Sequence, residues 1–328
     1  MNYRTLGKTG YKVSEISLGT WQVGGVWGAP FDEANAERIL ETALEEGVTF
    51  IDTADVYSGG LSEASVGRFA RKHRGRVFVG TKCGRRLDPH VGSGYTVASI
   101  RGFVEDSLKN TGLERLDLVQ LHCPPTEVYY RPEIFALFER LKEEGKVAHL
   151  GVSVEKVEEA LKAINYENVA TIQIIFNMFR QRPAELFFRE AAARKVGIIV
   201  RVPLASGLLT GKFSAETEFG REDHRAYNRN GEAFDRGETF SGVPWNIGLQ
   251  AVERLRDVFP GDPPLASRAL RWILDFPEVS CIIPGASRPD QIKRNCASSS
   301  LPPLPANEHQ IVKKIYEVDI KPVVHHLW

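Results

Sequence analysis

The chain predicts a single (β/α)8 barrel spanning residues 1–328, with an N-terminal hairpin, a long loop after the seventh strand and extra C-terminal helices. Three observations lead there. Short apolar strand-like runs alternate with helical stretches eight times, as parallel strands joined by helical crossovers require. The strands are apolar on both faces, so both faces of the sheet are covered. No Gly-x-Gly-x-x-Gly occurs anywhere, which disfavours an open doubly wound sheet, the other architecture this alternation permits.

The elements follow in order. Residues 2–14 read as a hairpin turning through Gly7-Lys8-Thr9-Gly10. Residues 16–19 form the first barrel strand. The helix at 32–46 carries Ile39, Leu40, Ala43 and Leu44 on one face and stops at Gly47. Strands at 48–51, 77–81, 116–121, 147–152, 170–175 and 197–200 alternate with helices at 62–73, 96–110, 133–144, 154–164 and 183–195. Residues 204–244 are long, irregular and rich in charge and glycine around 220–238, the profile of a lid or a disordered segment. Helices at 245–259 and 265–276, the eighth strand at 279–283, its helix at 289–297 and a terminal helix at 308–316 complete the chain.

Composition narrows the function. Lys+Arg and Asp+Glu are both 42, a formal net charge of +0, so nothing points to nucleic acid or an anionic membrane surface. Cys83, Cys123, Cys281 and Cys296 form no Cys-x-x-Cys pair and read as reduced thiols. The first ten residues are polar, without the apolar core of a secretory signal, and no run reaches ~18 apolar residues. A cytoplasmic protein with no membrane span is expected. Oligomeric state is not legible.

In such barrels chemistry sits at the C-terminal ends of the strands. There the sequence places Asp52 and Tyr57 after strand two, Lys82 at the end of strand three and His122 at the end of strand four. Each has an ordinary reading alone: a turn-capping Asp, a loop aromatic, a solvated Lys, a satisfied turn His. Together, on adjacent strand ends, they suit proton transfer to a carbonyl oxygen. A phenol holds its proton at neutral pH. An adjacent ammonium is expected to lower its pKa, a carboxylate to keep that ammonium charged, and a neutral imidazole to orient and polarise the carbonyl.

The motifs LGTW (18–21), FIDTADVY (50–57), GTK (80–82), LVQLHCP (118–124), GVS (151–153), Gln173 with Asn177, PLASGLLTGK (203–212) and PGASRPDQIKRN (284–295) occur in order across nearly the whole chain. In that order and spacing the chain resembles the aldo-keto reductase family. The resemblance implies catalysis by Asp52, Tyr57, Lys82 and His122, with Tyr57 as proton donor. It implies a nicotinamide cofactor stretched across the barrel mouth without a Rossmann turn. Gly19, Thr20, Trp21 and Asp52 would lie beside it. Ser153 and Gln173 match positions that hold the carboxamide. Arg201 and the stretch of Pro203, Leu204, Ser206, Gly207 and Leu208, with Lys212 nearby, match the ring and pyrophosphate positions. Gly285, Ser287, Arg288, Gln291 and Asn295 match the adenosine end. Arg288 at a helix start suits a phosphate and favours NADP(H), with NAD(H) left open. Three departures stand out: Arg201 replaces an aromatic residue that many members stack on the nicotinamide, Val154 replaces an Asn, and Gly285-Ala286 replaces a Lys-Ser pair.

The implied reaction interconverts an aldehyde or ketone and its alcohol. Trp21, Trp27, Tyr57, His122 and the stretch around Tyr129-Tyr130 suit a sugar-like or small aromatic carbonyl. No metal site is expected: His325-His326 is not spaced for one helix face, and Gly207-Leu208-Leu209-Thr210-Gly211-Lys212 is one residue short of a phosphate-binding loop. Two rivals are a cofactor-binding regulatory subunit with little turnover, like the potassium-channel β subunits that resemble this chain, and a barrel lyase or isomerase without nicotinamide.

Overall fold

The computed structural model describes residues 1–25 and 29–328. Strands β1 (Tyr3–Thr5) and β2 (Lys12–Ser14) pair antiparallel as the predicted hairpin. The barrel strands are β3 (Leu18–Gly19), β4 (Phe50–Asp52), β5 (Phe78–Cys83), β6 (Leu116–His122), β7 (Val147–Ser153), β8 (Val169–Ile175), β9 (Gly197–Arg201) and β10 (Val279–Ile282). They pair in parallel in sequence order. Parallel bridges Ile16↔Ile282 and Gly19↔Gly285 join the first to the last, so the sheet returns on itself as the eightfold alternation predicts.

The hairpin plugs the N-terminal end. Leu6 and Val13 pack on Phe50, Leu118, Ile199, Cys281 and Ile283, all buried. Gly7 makes this fit possible. It has φ +50°, and a Cβ there would stand 2.0 Å from the Gly197 backbone nitrogen. Gly7→Ala combines a disfavoured left-handed backbone with an overpacked contact. It is expected to lower the unfolding free energy by about 1–3 kcal/mol, read as a shift of the denaturant midpoint at constant slope.

The helices are α1 (Glu33–Glu45), α2 (Leu61–Lys72), α3 (Val97–Thr111), α4 (Pro132–Glu143), α5 (Val157–Ala163), α6 (Phe187–Ala193), α7 (His224–Tyr227), α8 (Trp245–Val258), α9 (Leu265–Leu274), α10 (Pro289–Ala297), α11 (Ala306–Ile315) and α12 (Lys321–Val324). Their ends obey local chemistry. The Asp32 side chain caps α1, Thr96 and Ser99 form a capping box on α3, and Gly112 ends α3 in the left-handed region. Among the described residues no helix is long and apolar enough to cross a membrane.

Four expectations need correction. α5 begins three residues late because the Val154 N–H continues the barrel ladder to the Gln173 carbonyl (2.9 Å). The stretch 183–195 is a turn, Arg182–Ala184, then α6, broken where Leu186 adopts φ −139°. The terminal helix continues past Tyr316 through a π-turn, Tyr316–Ile320, into α12. The segment 204–244 is not structureless. Phe213, Phe219, Phe240 and Trp245 pack ring on ring, giving it a small core. Asn228, fully buried, accepts from the Ala233 and Phe234 N–H groups (2.8 and 2.9 Å).

Candidate active site

Register brings the site together. Asp52 pairs with Gly80, Lys82 with Gln120 and His122 with Ser153. Side chains alternate along a strand, so Gly80 and Lys82 of β5, and Leu118, Gln120 and His122 of β6, share the inner face. Lys82 is 1% exposed, and its Nζ lies 2.5 Å from Asp52 Oδ1, 2.9 Å from the Thr53 carbonyl and 3.0 Å from the Tyr57 hydroxyl. Tyr57 reaches it from the turn after β4, where Ser58 and Gly59 are left-handed (φ 49° and 62°). The His122 ring stands edge-on to the Tyr57 ring, centroids 6.1 Å apart, and its buried Nδ1 has no hydrogen-bond partner among the described residues.

The second Asp52 oxygen accepts from Gln120 Nε2 (2.9 Å) and Gln173 Nε2 (2.8 Å). Gln120 was not anticipated. Its signal is a polar side chain at an inward position of an otherwise apolar strand, two residues before His122. Gln173 lines the cleft, but its amide nitrogen is committed to Asp52 and to Gln120 Oε1 (3.1 Å).

Electrostatics follow from burial and neighbours. Burial works against the Lys82 ammonium, yet Asp52, with Tyr57, more than offsets it and holds the pKa above the ordinary lysine value. Burial also raises the Tyr57 pKa, and here it outweighs the opposing Lys82 charge. The expectation of a lowered phenol pKa is therefore corrected: in the desolvated site Tyr57 holds its proton more firmly than in water. Burial, then the charges of Arg85, Lys82 and Arg201, keep the His122 pKa well below its usual value, so the ring is neutral.

The tetrad opens onto a cleft of about 370 Å³ across the barrel mouth. Gly19, Thr20 and Trp21 line one wall, with the Trp21 and Tyr57 rings 6.2 Å apart. Ser153, Gln173 and Arg201 line it at the strand ends; Pro203, Leu204, Ser206, Gly207 and Lys212 form the far wall, and Gly285 and Gln291 the end beside α10. Ala205, Ser206 and Gly207 are successively left-handed (φ 47°, 55° and 95°), a concave turn of a kind that cradles anions. These features fit an extended, phosphate-bearing cofactor.

Other predicted positions fall elsewhere. Leu208 is buried beneath that turn. Ser287, Arg288 and Asn295 are not among the described residues lining the cleft. Gln291 Oε1 caps α10 by accepting from the Ser287 and Arg288 N–H groups (2.7 and 3.2 Å), and the exposed Arg288 guanidinium pairs with Asp290 (3.2 Å). Tyr129 is buried and Tyr130 points to solvent, so neither serves the cleft, contrary to expectation. Trp27 lies outside the described residues. His325 packs on Tyr316, with Nδ1 2.8 Å from its hydroxyl. Cys123 is a buried thiol whose pKa burial pushes up to about 11.

The long segment supplies residues that the motif reading missed. His224, Arg225 and Glu238 line the cleft. Glu238 Oε1 lies between two cations, 3.2 Å from Arg201 Nη1 and 3.1 Å from Arg85 Nη1. Burial opposes its charge, but Arg201 and Arg85 hold its pKa down at about 2. Cys123, Glu155 and Glu238 place possible ligand atoms within 4.8 Å of one another, but guanidinium groups already pair with both carboxylates.

Comparisons with known proteins identify the family. Residues 15–317 match the family model described as the aldo/keto reductase family. Aldo-keto reductase YhdN of Bacillus subtilis (strain 168) is 30% identical over 301 residues, covering 89% of this chain and 87% of its own. The NADH-specific methylglyoxal reductase of Escherichia coli (strain K12) is 28% identical over 326 residues, covering 90% and 93%. Among solved structures, the holo form of aldo-keto reductase AKR11C1 from Bacillus halodurans superposes with a TM-score of 0.77 at 28% identity, covering 96% of each chain. With this barrel and this match over most of its length, the chain belongs to the aldo/keto reductase family, nicotinamide-dependent oxidoreductases that act on carbonyl groups.

Proposed function

We propose that the protein interconverts an aldehyde or ketone, sugar-like or small and aromatic, with its alcohol, and that Tyr57 is the proton donor. The observation that carries this reading is the Tyr57 hydroxyl 3.0 Å from a buried Lys82 ammonium that is itself paired with Asp52. A nicotinamide held in the cleft would supply or accept the hydride. Tyr57 gives its proton to the carbonyl oxygen as charge develops there, and Lys82 stabilises the phenolate left behind. Asp52, steadied by Gln120 and Gln173, keeps Lys82 charged and in place. Neutral His122 donates a hydrogen bond to the same oxygen. Trp21 and His224 shape the substrate side of the cleft, and exclusion of water strengthens every charge interaction within it.

Ser153 and Gln173 at the strand ends, the turn of Leu204 to Gly207 and Lys212 would hold the cofactor. Arg288, which must exchange Asp290 for a phosphate, favours NADP(H). NAD(H) is the second reading, supported by the relative whose name gives it as NADH-specific. Four buried, free thiols suit the expected cytoplasmic location.

The test is turnover of a panel of sugars and aldehydes with NADPH and with NADH, wild type against Tyr57→Phe. Tight nucleotide binding with no turnover in either protein moves the assignment to a regulatory subunit. A separate measurement checks the imidazole. Because the His122 pKa is depressed, its ring is neutral at neutral pH, and its NMR titration midpoint, assigned through His122→Asn, is expected well below the ordinary histidine value. A midpoint near the ordinary histidine value contradicts the neutral role.

A further inference from the structure

Arg201 is an unusual residue for the floor of a cleft that holds a nicotinamide. It is 7% exposed, and its guanidinium donates to the Val154 carbonyl (3.0 Å) and Cys123 Sγ (3.5 Å), the residues that directly follow Ser153 and His122. Its Nε has no hydrogen-bond partner among the described residues. A substrate carbonyl held by Tyr57 and His122 must have the hydride-carrying carbon within about 3–3.5 Å. Arg201 lines the same cleft as Tyr57, His122, Ser153 and Gln173, so a ring held there would lie near the guanidinium. The ring is neutral when reduced and carries a positive charge when oxidised. A bare buried cation beside it disfavours the oxidised form, and in a site of low effective dielectric that penalty is large.

The cation is not bare. Glu238, carried in by the segment 204–244, reaches Arg201 Nη1 at 3.2 Å. Two further contacts fix its position: Arg85 Nη1 at 3.1 Å, and Ser206 Oγ, which donates to the Glu238 carbonyl at 2.8 Å. Both cations keep the carboxylate ionised.

We propose that Glu238 is a positioning and charge-compensating residue that sets the relative affinity of the cleft for oxidised and reduced nicotinamide by neutralising Arg201 at its floor. The proposal rests on the cofactor reading above. Where the resemblance implies an aromatic residue in many members, this chain has a cation, and the charge arrives together with its counter-ion. Affinity for the two redox forms enters the overall equilibrium between bound species, so the pair influences which direction the bound reaction favours.

The experiment titrates NADP⁺ and NADPH separately into wild type, Glu238→Gln and Arg201→Met, following tryptophan fluorescence, and compares the ratio of the two dissociation constants. In Glu238→Gln the ratio of oxidised to reduced dissociation constants is expected to rise roughly ten- to a hundredfold, the range a charge a few ångströms away supports. In Arg201→Met, which keeps the Glu238–Arg85 pair, the ratio is expected to fall below wild type. A merely structural role for Glu238 weakens both forms by the same factor, and a ratio within about twofold of wild type in Glu238→Gln overturns the proposal. If that variant does not fold, an unchanged ratio in Arg201→Met overturns it equally. Failure of wild type to bind either nucleotide is a different result: it removes the cofactor reading itself.

Discussion

Tyr57→Phe is expected to lower kcat for carbonyl reduction by about 10²–10⁴-fold, the usual contribution of one positioned acid, with little change in nucleotide affinity or stability. The substitution removes one oxygen and keeps the ring, so the packing against Trp21 and the edge contact with His122 persist. Lys82 keeps Asp52 and the Thr53 carbonyl as partners, so no charge is orphaned. The loss therefore falls on kcat, since the missing interaction matters most as the oxygen gains charge. Steady-state kinetics with a fluorescence-derived nucleotide dissociation constant checks both halves. A kcat within a few-fold of wild type ends the assignment of Tyr57 as the acid.

The second large effect concerns stability. Lys82→Met is expected to cost about 3–5 kcal/mol, because it strands the Asp52 carboxylate in the barrel, left with the amide donors of Gln120 and Gln173. Methionine fills much of the lysine volume, so a cavity is a minor part of the loss. The decisive comparison is the double variant Asp52→Asn/Lys82→Met, which removes both charges and keeps the shape. It is expected to recover most of the loss in denaturant unfolding. A double variant as unstable as Lys82→Met alone points to packing, not the unpaired charge, as the cause. Both variants are expected to be nearly inactive, because the phenolate loses its stabilising cation.

The sequence by itself determined the barrel and the four residues at its mouth. Eight short apolar runs, each followed by a helix, call for a parallel sheet covered on both faces, and eight units without a Gly-x-Gly-x-x-Gly turn favour the closed barrel over the open sheet. Strand alternation then forces Lys82 and His122 onto the inner face of their strands, beside Asp52, whatever the loops do. Gln120 was within reach of the same logic, since a polar residue two positions before His122 shares its face.

Tertiary structure alone decided the rest. The direction of the Tyr57 pKa depends on whether burial or the Lys82 charge is stronger, which spacing does not reveal. Tyr129 and Tyr130 sit in an aromatic stretch that reads as a substrate wall, yet the fold buries one and leaves the other exposed. The partner of Arg201 is 37 residues further along the chain, in a segment whose composition reads as irregular. Its placement follows from a small aromatic cluster and from two guanidinium groups that meet only once the barrel has closed. Local pattern specifies elements because it acts through neighbours in sequence. Charge pairing and burial act through neighbours in space, and those exist only in the folded chain.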